Sequence, residues 1–283
     1  MFPCVFAFVM VILCPFFLGI YYSMTDWNGV REIITFIGFE NFRGMFHQPQ
    51  FLYSFMITVF YTAINVVLVN VVSFFLSLLV TGPARLRNLY RAGFFVPNLI
   101  GGIVLGYIWQ FLFNNVFLMA GDAIPFLSKS LIARTDTVIW AMSFVNTWQY
   151  AGYIMMIYVA SIQSVPSSIM EAASVDGAGY FTRMRRILIP MMANAFTISL
   201  FLTLTNSFKQ FDMNFTLTNG GPSTFFSGGV VKASQLLAMD IYVTANGANK
   251  MAEAQAKSVV FFLVLVVFSL VQVYFNKRKE VEM

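Results

Sequence analysis

Charge is scarce in this sequence. Only 10% of its 283 residues are Asp, Glu, Lys or Arg, against roughly 25% in an average soluble domain. So few charges cannot cover a water-soluble fold of this length, whereas lipid as a solvent tolerates them. Histidine is almost missing. His47 is the single copy and has no cysteine near it, which excludes a His/Cys zinc site. Cysteine is limited to Cys4 and Cys14, both in one apolar run. If that run is helical they stand about 15 Å apart along its axis, too far for a disulfide without unwinding. They read as small packing or lipid-facing residues. None of the seven lysines follows a glycine, so the G-x-x-x-x-G-K-[ST] phosphate loop is lacking and the chain does not hydrolyse ATP by that route. No nucleophile and base converge, which speaks against a membrane enzyme. The basic residues form no stripe with interleaved aromatics, so no nucleic-acid partner is expected.

Apolar residues make up 59% of the chain, and phenylalanine alone contributes 33. Six stretches reach the roughly 20 residues that a spanning helix needs. They are 2–22, 51–80, 92–113, 138–162, 188–208 and 258–275. The expected fold is therefore an all-α integral membrane protein of about six transmembrane helices, with residues 1–283 as one transmembrane domain. The first run lacks a basic leading region and a small-x-small cleavage site, so it reads as a retained helix. The second is overlong for a bilayer and implies tilt. The third carries Pro97, Gly101, Gly102 and Gly106, which favour close helix approach and a kink.

Arginine and lysine orient the chain. Arg85, Arg87 and Arg91 sit in loop 81–93, Arg183, Arg185 and Arg186 in loop 163–187, and Lys277, Arg278 and Lys279 in the tail. The positive-inside rule places these alternate segments, and both termini, in the cytoplasm. Segment 209–257 is the hardest to place. Asn219-Gly220-Gly221-Pro222 marks a turn. The later part, with Lys232 and Asp240, predicts an external amphipathic helix or partial re-entry rather than a seventh span.

The most informative segment is 163–190, QSVPSSIMEAASVDGAGYFTRMRRILIP. Pro166 and Ser167-Ser168 are helix-start signals. A short helix would run through Glu171, Ala172 and Ala173, turn at Asp176-Gly177, and resume from Tyr180 to Arg186 before Pro190. Physically this is either a docking knob for another protein or an amphipathic loop whose arginines face anionic lipid.

Glu-Ala-Ala-Ser-Val-Asp-Gly-Ala over 171–178, followed by Ile-Leu-Ile-Pro over 187–190, resembles the signature loop of permease subunits in binding-protein-dependent ABC importers. The resemblance implies that this loop is a coupling helix pair seated in a cleft of a cytoplasmic ATPase. Glu171, Ala172, Ala173, Asp176, Gly177, Ala178 and Pro190 would form it, with Glu171 meeting the ATPase surface and Gly177 making the turn. Met184 departs from the aromatic residue common there. The likeness extends to Thr25-Asp26-Trp27-Asn28, Phe39-Glu40-Asn41-Phe42, Val96-Pro97 and Leu217-Thr218-Asn219-Gly220-Gly221-Pro222. Those segments are similar to the carbohydrate branch, in particular the maltose F-type, multiple-sugar and glycerol-phosphate permeases.

Polar residues inside the apolar runs form two stripes. Asn146, Tyr150 and Tyr153 share one face of the fourth span, and Thr203, Ser207 and Gln210 share one face of the fifth. At membrane depth such groups must face protein or a watery cavity. They suit sugar hydroxyls and C–H faces, or else hydrogen bonds between packed helices. By resemblance, these faces line the substrate pathway.

The resemblance implies an import machine of several subunits. A second homologous permease, two ATPase subunits carrying the ATP and Mg, and an extracytoplasmic sugar-binding protein would join this chain in a bacterial or archaeal cytoplasmic membrane. The chain itself would bind no metal or cofactor. A glycerol-phosphate or polyol permease is the alternative, with Lys209 the one cation near the pathway. An ion-coupled carrier is disfavoured, because spans two, three, four and six contain no Asp, Glu, Lys, Arg or His.

Overall fold

A computed structural model describes residues 2–82 and 85–277. The basic tail residues Arg278 and Lys279 lie outside the described residues. Helix α1 (Phe2–Ser23) leads to a loop and α2 (Glu40–Phe46). Helix α3 (Pro49–Thr81) follows, then α4 (Arg87–Phe95), α5 (Gly102–Met119) and α6 (Val138–Ser164). The chain continues through α7 (Ser167–Val175), α8 (Tyr180–Met191), α9 (Ala193–Phe208) and α10 (Asp212–Leu217). Strands β1 (Ser223–Phe226) and β2 (Gly229–Lys232) form an antiparallel hairpin, and α11 (Leu237–Tyr242) and α12 (Met251–Lys277) complete the described chain.

Among the described residues, four helices are long and apolar enough to cross a membrane: α1, α3, α5 and α12. Two further spans arise if each bent pair is one span, α6 with α7 and α8 with α9, bent by 66° and 68°. Length and composition thus allow four to six spans, with boundaries shifted from the six apolar stretches. The third differs most. Residues 92–113 are not one kinked helix: α4 ends at Phe95, a single 3-10 turn covers Val96–Leu99, and α5 starts afresh at Gly102. Pro97 supplies no N–H and clashes with the preceding turn, so the interruption is complete.

Helix α3 packs along α6, and α9 packs on α3 and α12. The apolar core runs between them, with Tyr61, Leu105, Val138, Met142 and Val145 in one cluster. Tyr158, Leu188 and Met192 anchor a second. Polar side chains cross-link the same helices. Asn146 donates to Asn65 Oδ1 at 2.8 Å, while Asn65 itself donates to Ser143 Oγ at 3.2 Å. The Tyr158 hydroxyl donates to Asn70 Oδ1 at 2.7 Å and lies 2.6 Å from Ser199 Oγ. Asn70 then donates to Thr203 Oγ1 at 3.2 Å. Amides paired in this way between buried helix faces act as a register device.

Segment 209–257 contains no exposed amphipathic helix. Helix α11 is inserted between α3 and α12, with Leu237, Met239 and Asp240 buried. Helix α12 also starts earlier than hydropathy places the sixth span, at Met251 instead of residue 258. It thereby brings Glu253 and Lys257 into its first turns, so the sixth helix is not free of ionisable groups.

Candidate functional site

The segment between α6 and α9 is a helix–turn–helix made of α7 and α8. Its turn follows from Gly177, whose φ is +79°. The N–H of Ala178 donates to the Ala173 carbonyl at 2.9 Å, and the N–H of Gly177 to that of Ser174 at 3.1 Å. Those two bonds are the Schellman closure of a helix end, which needs a left-handed residue at this point. Ala173 and Ala178, brought together by the first bond, are both partly buried, while Glu171 and Asp176 are exposed. Two large apolar side chains stand out on either side of the turn, Val175 at 88% and Phe181 at 77% exposure. Among the expected loop residues only Pro190 lies away from this projection, in the last turn of α8. Met184 faces inward against the Tyr158 cluster, so its departure from an aromatic concerns core packing.

A second site lies where two helices are interrupted. The first break, Val96–Gly101, separates α4 from α5, and the second, Lys209–Phe211, separates α9 from α10. Between them is a polar pocket of about 240 Å³ lined by Gly102, Gln149, Asn206, Lys209, Gln210, Phe211 and Asp212. Gln149 is close to the midpoint of α6, a helix of 27 residues. Its Nε2 donates to the carbonyl of Ile100 at 2.9 Å. Interrupted helices expose backbone groups that lipid cannot satisfy, so such breaks persist only against protein or a water-filled space.

Helix α10 is held beside this pocket by close backbone approach. A Cβ on Gly106 would overlap the side chain of Thr216, and one on Gly102 would lie 2.8 Å from Asp212 Cβ. These glycines therefore act through the space they leave. Gly152 does the same for α4, since a Cβ there would overlap the Phe94 carbonyl.

The two expected polar stripes divide between these settings. Gln210 lines the pocket. Tyr150 and Tyr153 are half-buried, with ring centroids 5.3 Å apart, and Tyr153 lines an adjacent groove with Arg91 and Phe95. Asn146, Thr203 and Ser207 are fully buried among the helices of this chain. Asn146 Oδ1 and Ser207 Oγ have no hydrogen-bond partner among the described residues, although buried polar atoms ordinarily have one. The sequence reading did not assign Asn206 or Asp212 to a site. Nothing local marks them: Asn206 reaches the pocket from the last turn of α9, and Asp212 from the start of α10 after α9 stops at Phe208.

A family comparison accounts for this architecture. The profile of the binding-protein-dependent transport system inner membrane component matches residues 73–281. The chain is 42% identical to the probable starch degradation products transport system permease protein AmyD of Thermoanaerobacterium thermosulfurigenes, covering 99% of this chain and 94% of that protein. It is 26% identical to the multiple sugar-binding transport system permease protein MsmF of Streptococcus mutans, covering 94% and 90% respectively. The fold superposes, with a TM-score of 0.82, on a chain from the crystal structure of a bacterial ABC transporter involved in the import of the acidic polysaccharide alginate. That match is 18% identical and covers 98% of this chain and 93% of the other. With a profile match over most of its length and a full-length relative of this identity, the chain belongs to the binding-protein-dependent transport system inner membrane component family.

Proposed function

We propose that this chain is one of two permease subunits in an ATP-driven importer for a sugar or oligosaccharide. The observation that carries the reading is the projecting pair α7–α8. An exposed acid, a rigid glycine turn and two bare apolar side chains, Val175 and Phe181, form a compact knob. Exposed apolar side chains of this size favour burial against another protein. The occupant fitting that knob is a cytoplasmic ATPase subunit, which supplies the ATP and Mg that this chain has no loop to hold. Two such ATPases, a homologous permease and an extracytoplasmic binding protein complete the assembly, with lipid around the spans and both termini cytoplasmic.

In this scheme the pocket at the two helix breaks is this chain's share of the translocation pathway. Gln149, Asn206 and Gln210 offer amides to sugar hydroxyls, and Tyr150 and Tyr153 offer ring faces. The unpartnered atoms of Asn146 and Ser207 support a pathway running deeper along α6 and α9. Lys209 shares its pocket with Asp212. The two charges balance, which favours a neutral sugar over a phosphate ester. The starch degradation products named for AmyD point the same way. Closure of the ATPases on ATP would rock α7–α8, and the bends at either end of the knob pass that movement to α6 and α9 by rigid-body motion.

The test is purification of the tagged chain from its native membrane, as wild type and as Glu171→Ala with Gly177→Pro. The reading expects a second permease and an ATPase with the wild type, and loss of the ATPase from the variant. A wild-type chain that emerges alone in mild detergent and still moves solute into ATP-free vesicles sinks the reading in favour of a single-chain carrier.

A further inference from the structure

Lys257 is 2% exposed and Asp240 3% exposed, and Lys257 Nζ lies 2.9 Å from Asp240 Oδ2. The same ammonium donates to Thr244 Oγ1 at 2.8 Å and sits 3.6 Å from Glu253 Oε1. Glu253 is in turn held by Gln48 Nε2 at 2.7 Å, at the start of α3, and by Lys250 at 3.1 Å. The other carboxylate oxygen of Asp240 accepts from Gln235 Nε2 at 2.9 Å. Every charge in this cluster has a partner.

A buried ion pair is poor evidence of added stability. Apolar replacements of equal volume are often as stable, because removing two charges from water costs nearly what their attraction returns. What such a pair does supply is one geometry. Here the geometry reaches the pocket through a traceable path. Gln235 packs on the turn at Gly220, where a Cβ would stand 3.2 Å from its Oε1. The neighbouring Ser234 donates to the Gly221 carbonyl at 2.6 Å, and its hydroxyl lies 2.7 Å from Thr218 Oγ1. That turn ends α10, whose first residue, Asp212, lines the pocket beside Gln210 and Phe211. On the other side, the N–H of Leu237 donates to Thr58 Oγ1 of α3 at 2.8 Å. The segment from α10 to α11 is thus clamped to α3 and α12 at one end and carries pocket residues at the other.

We propose that Lys257 is a positioning residue for translocation: through Asp240 and Gln235 it sets the register of α10 and hence of Gln210, Phe211 and Asp212 at the pocket. Lys257 touches no pocket residue itself. The proposal rests on the assignment of that pocket to the sugar pathway.

The test uses the complete importer in proteoliposomes, with radiolabelled maltooligosaccharides as the probe. Equal amounts of assembled complex are compared for sugar moved per ATP hydrolysed. Two variants separate position from stability. Gln235→Met keeps the ion pair and cuts its link to the turn. Lys257→Met with Asp240→Leu replaces the pair by apolar residues. In both, the sugar-to-ATP ratio should fall about fivefold or more, the low end of ordinary coupling between sites, while ATP hydrolysis continues. A merely structural role would lower yield, or lower transport and hydrolysis together, and leave the ratio unchanged. Gln210→Ala serves as the pocket control. An unchanged ratio in both variants, with a lowered ratio in Gln210→Ala, overturns the proposal alone. An unchanged ratio in Gln210→Ala as well removes the pocket from the pathway, and the proposal falls with it.

Discussion

The Nε2 of Gln149 donates to the carbonyl oxygen of Ile100 at 2.9 Å, and so closes the end of one interrupted helix from the middle of another. A shortened side chain would leave that carbonyl for water or sugar to satisfy. An unmet buried acceptor costs about 1–3 kcal/mol. Gln149→Ala should therefore lower the thermal stability of the detergent-solubilised chain modestly and reduce sugar uptake strongly. Fluorescence unfolding and vesicle uptake on the same preparation check this. Normal uptake with lowered stability would restrict Gln149 to a packing role.

Gly152 faces the backbone of Phe94 with no space for a methyl group. Gly152→Ala should push α4 off α6 at a cost of about 1–3 kcal/mol, the usual range for overpacking. The thermal midpoint of the variant should drop. Gly93→Ala, where a Cβ meets nothing within 4 Å, should leave it near wild type. Equal midpoints for the two variants would contradict the close approach.

The turn at Gly177 requires positive φ and nothing else, since a Cβ there would meet no neighbour. Gly177→Ala should cost about 1 kcal/mol through the left-handed backbone alone. Gly177→Asn should cost less, because asparagine tolerates that region. Retention of the ATPase on affinity resin should rank Gly, then Asn, then Ala. A reversed order would show that the backbone turn is not what docks.

Tyr158 joins three helices through Asn70 and Ser199. Tyr158→Phe removes the hydroxyl and keeps the ring among Phe74 and Phe196. A loss of roughly 1 kcal/mol is expected for polar links between spanning helices. Thermal unfolding measures it. A loss as large as that of Tyr158→Ala would assign the stability to the hydroxyl network rather than to the aromatic packing.

Asp26 gives a pH dependence outside the spans. Its carboxylate accepts from the Thr35 hydroxyl at 2.6 Å and from the Thr35 N–H at 2.7 Å. Those bonds, the hydroxyl first, hold its pKa below the usual aspartate value. In the unfolded loop the group protonates first. The contribution of the ionised form is therefore present above the ordinary aspartate pKa of about 4 and is lost as pH falls through the lower folded value. Hydrogen exchange at residues 26–35 should accelerate below that range in wild type, relative to an Asp26→Asn reference. Parallel profiles for the two would remove Asp26 as the cause.

The two sites were legible to different degrees. The α7–α8 turn was visible because Asp176-Gly177 is a local conformational signal, and the Schellman bonds need only neighbouring residues. The pocket was visible in part. Gln210 lay on a polar stripe, but Asn206 and Asp212 belonged to no periodic pattern. The break at Val96–Gly101 was expected as a kink, since Pro97 disturbs one turn locally while the restart at Gly102 depends on α10 lying against it. Lys257 stands at the edge of segment 209–257, one residue before the last apolar stretch. Hydropathy averages over a window, and no window shows that one lysine has a buried aspartate waiting 2.9 Å away.

By itself the sequence determined the solvent, the number of long apolar stretches and the position of the glycine turn. Each of these follows from composition or from the conformational preference of a few adjacent residues. Tertiary structure alone decided where two spans break, which amides pair across helices, and how a buried ion pair connects to the pocket. Those outcomes depend on residues far apart in the chain, such as Gln48 with Glu253, and on the space that Gly106 leaves for Thr216. Packing in the close quarters between helices admits few arrangements, and only the folded chain shows which was taken.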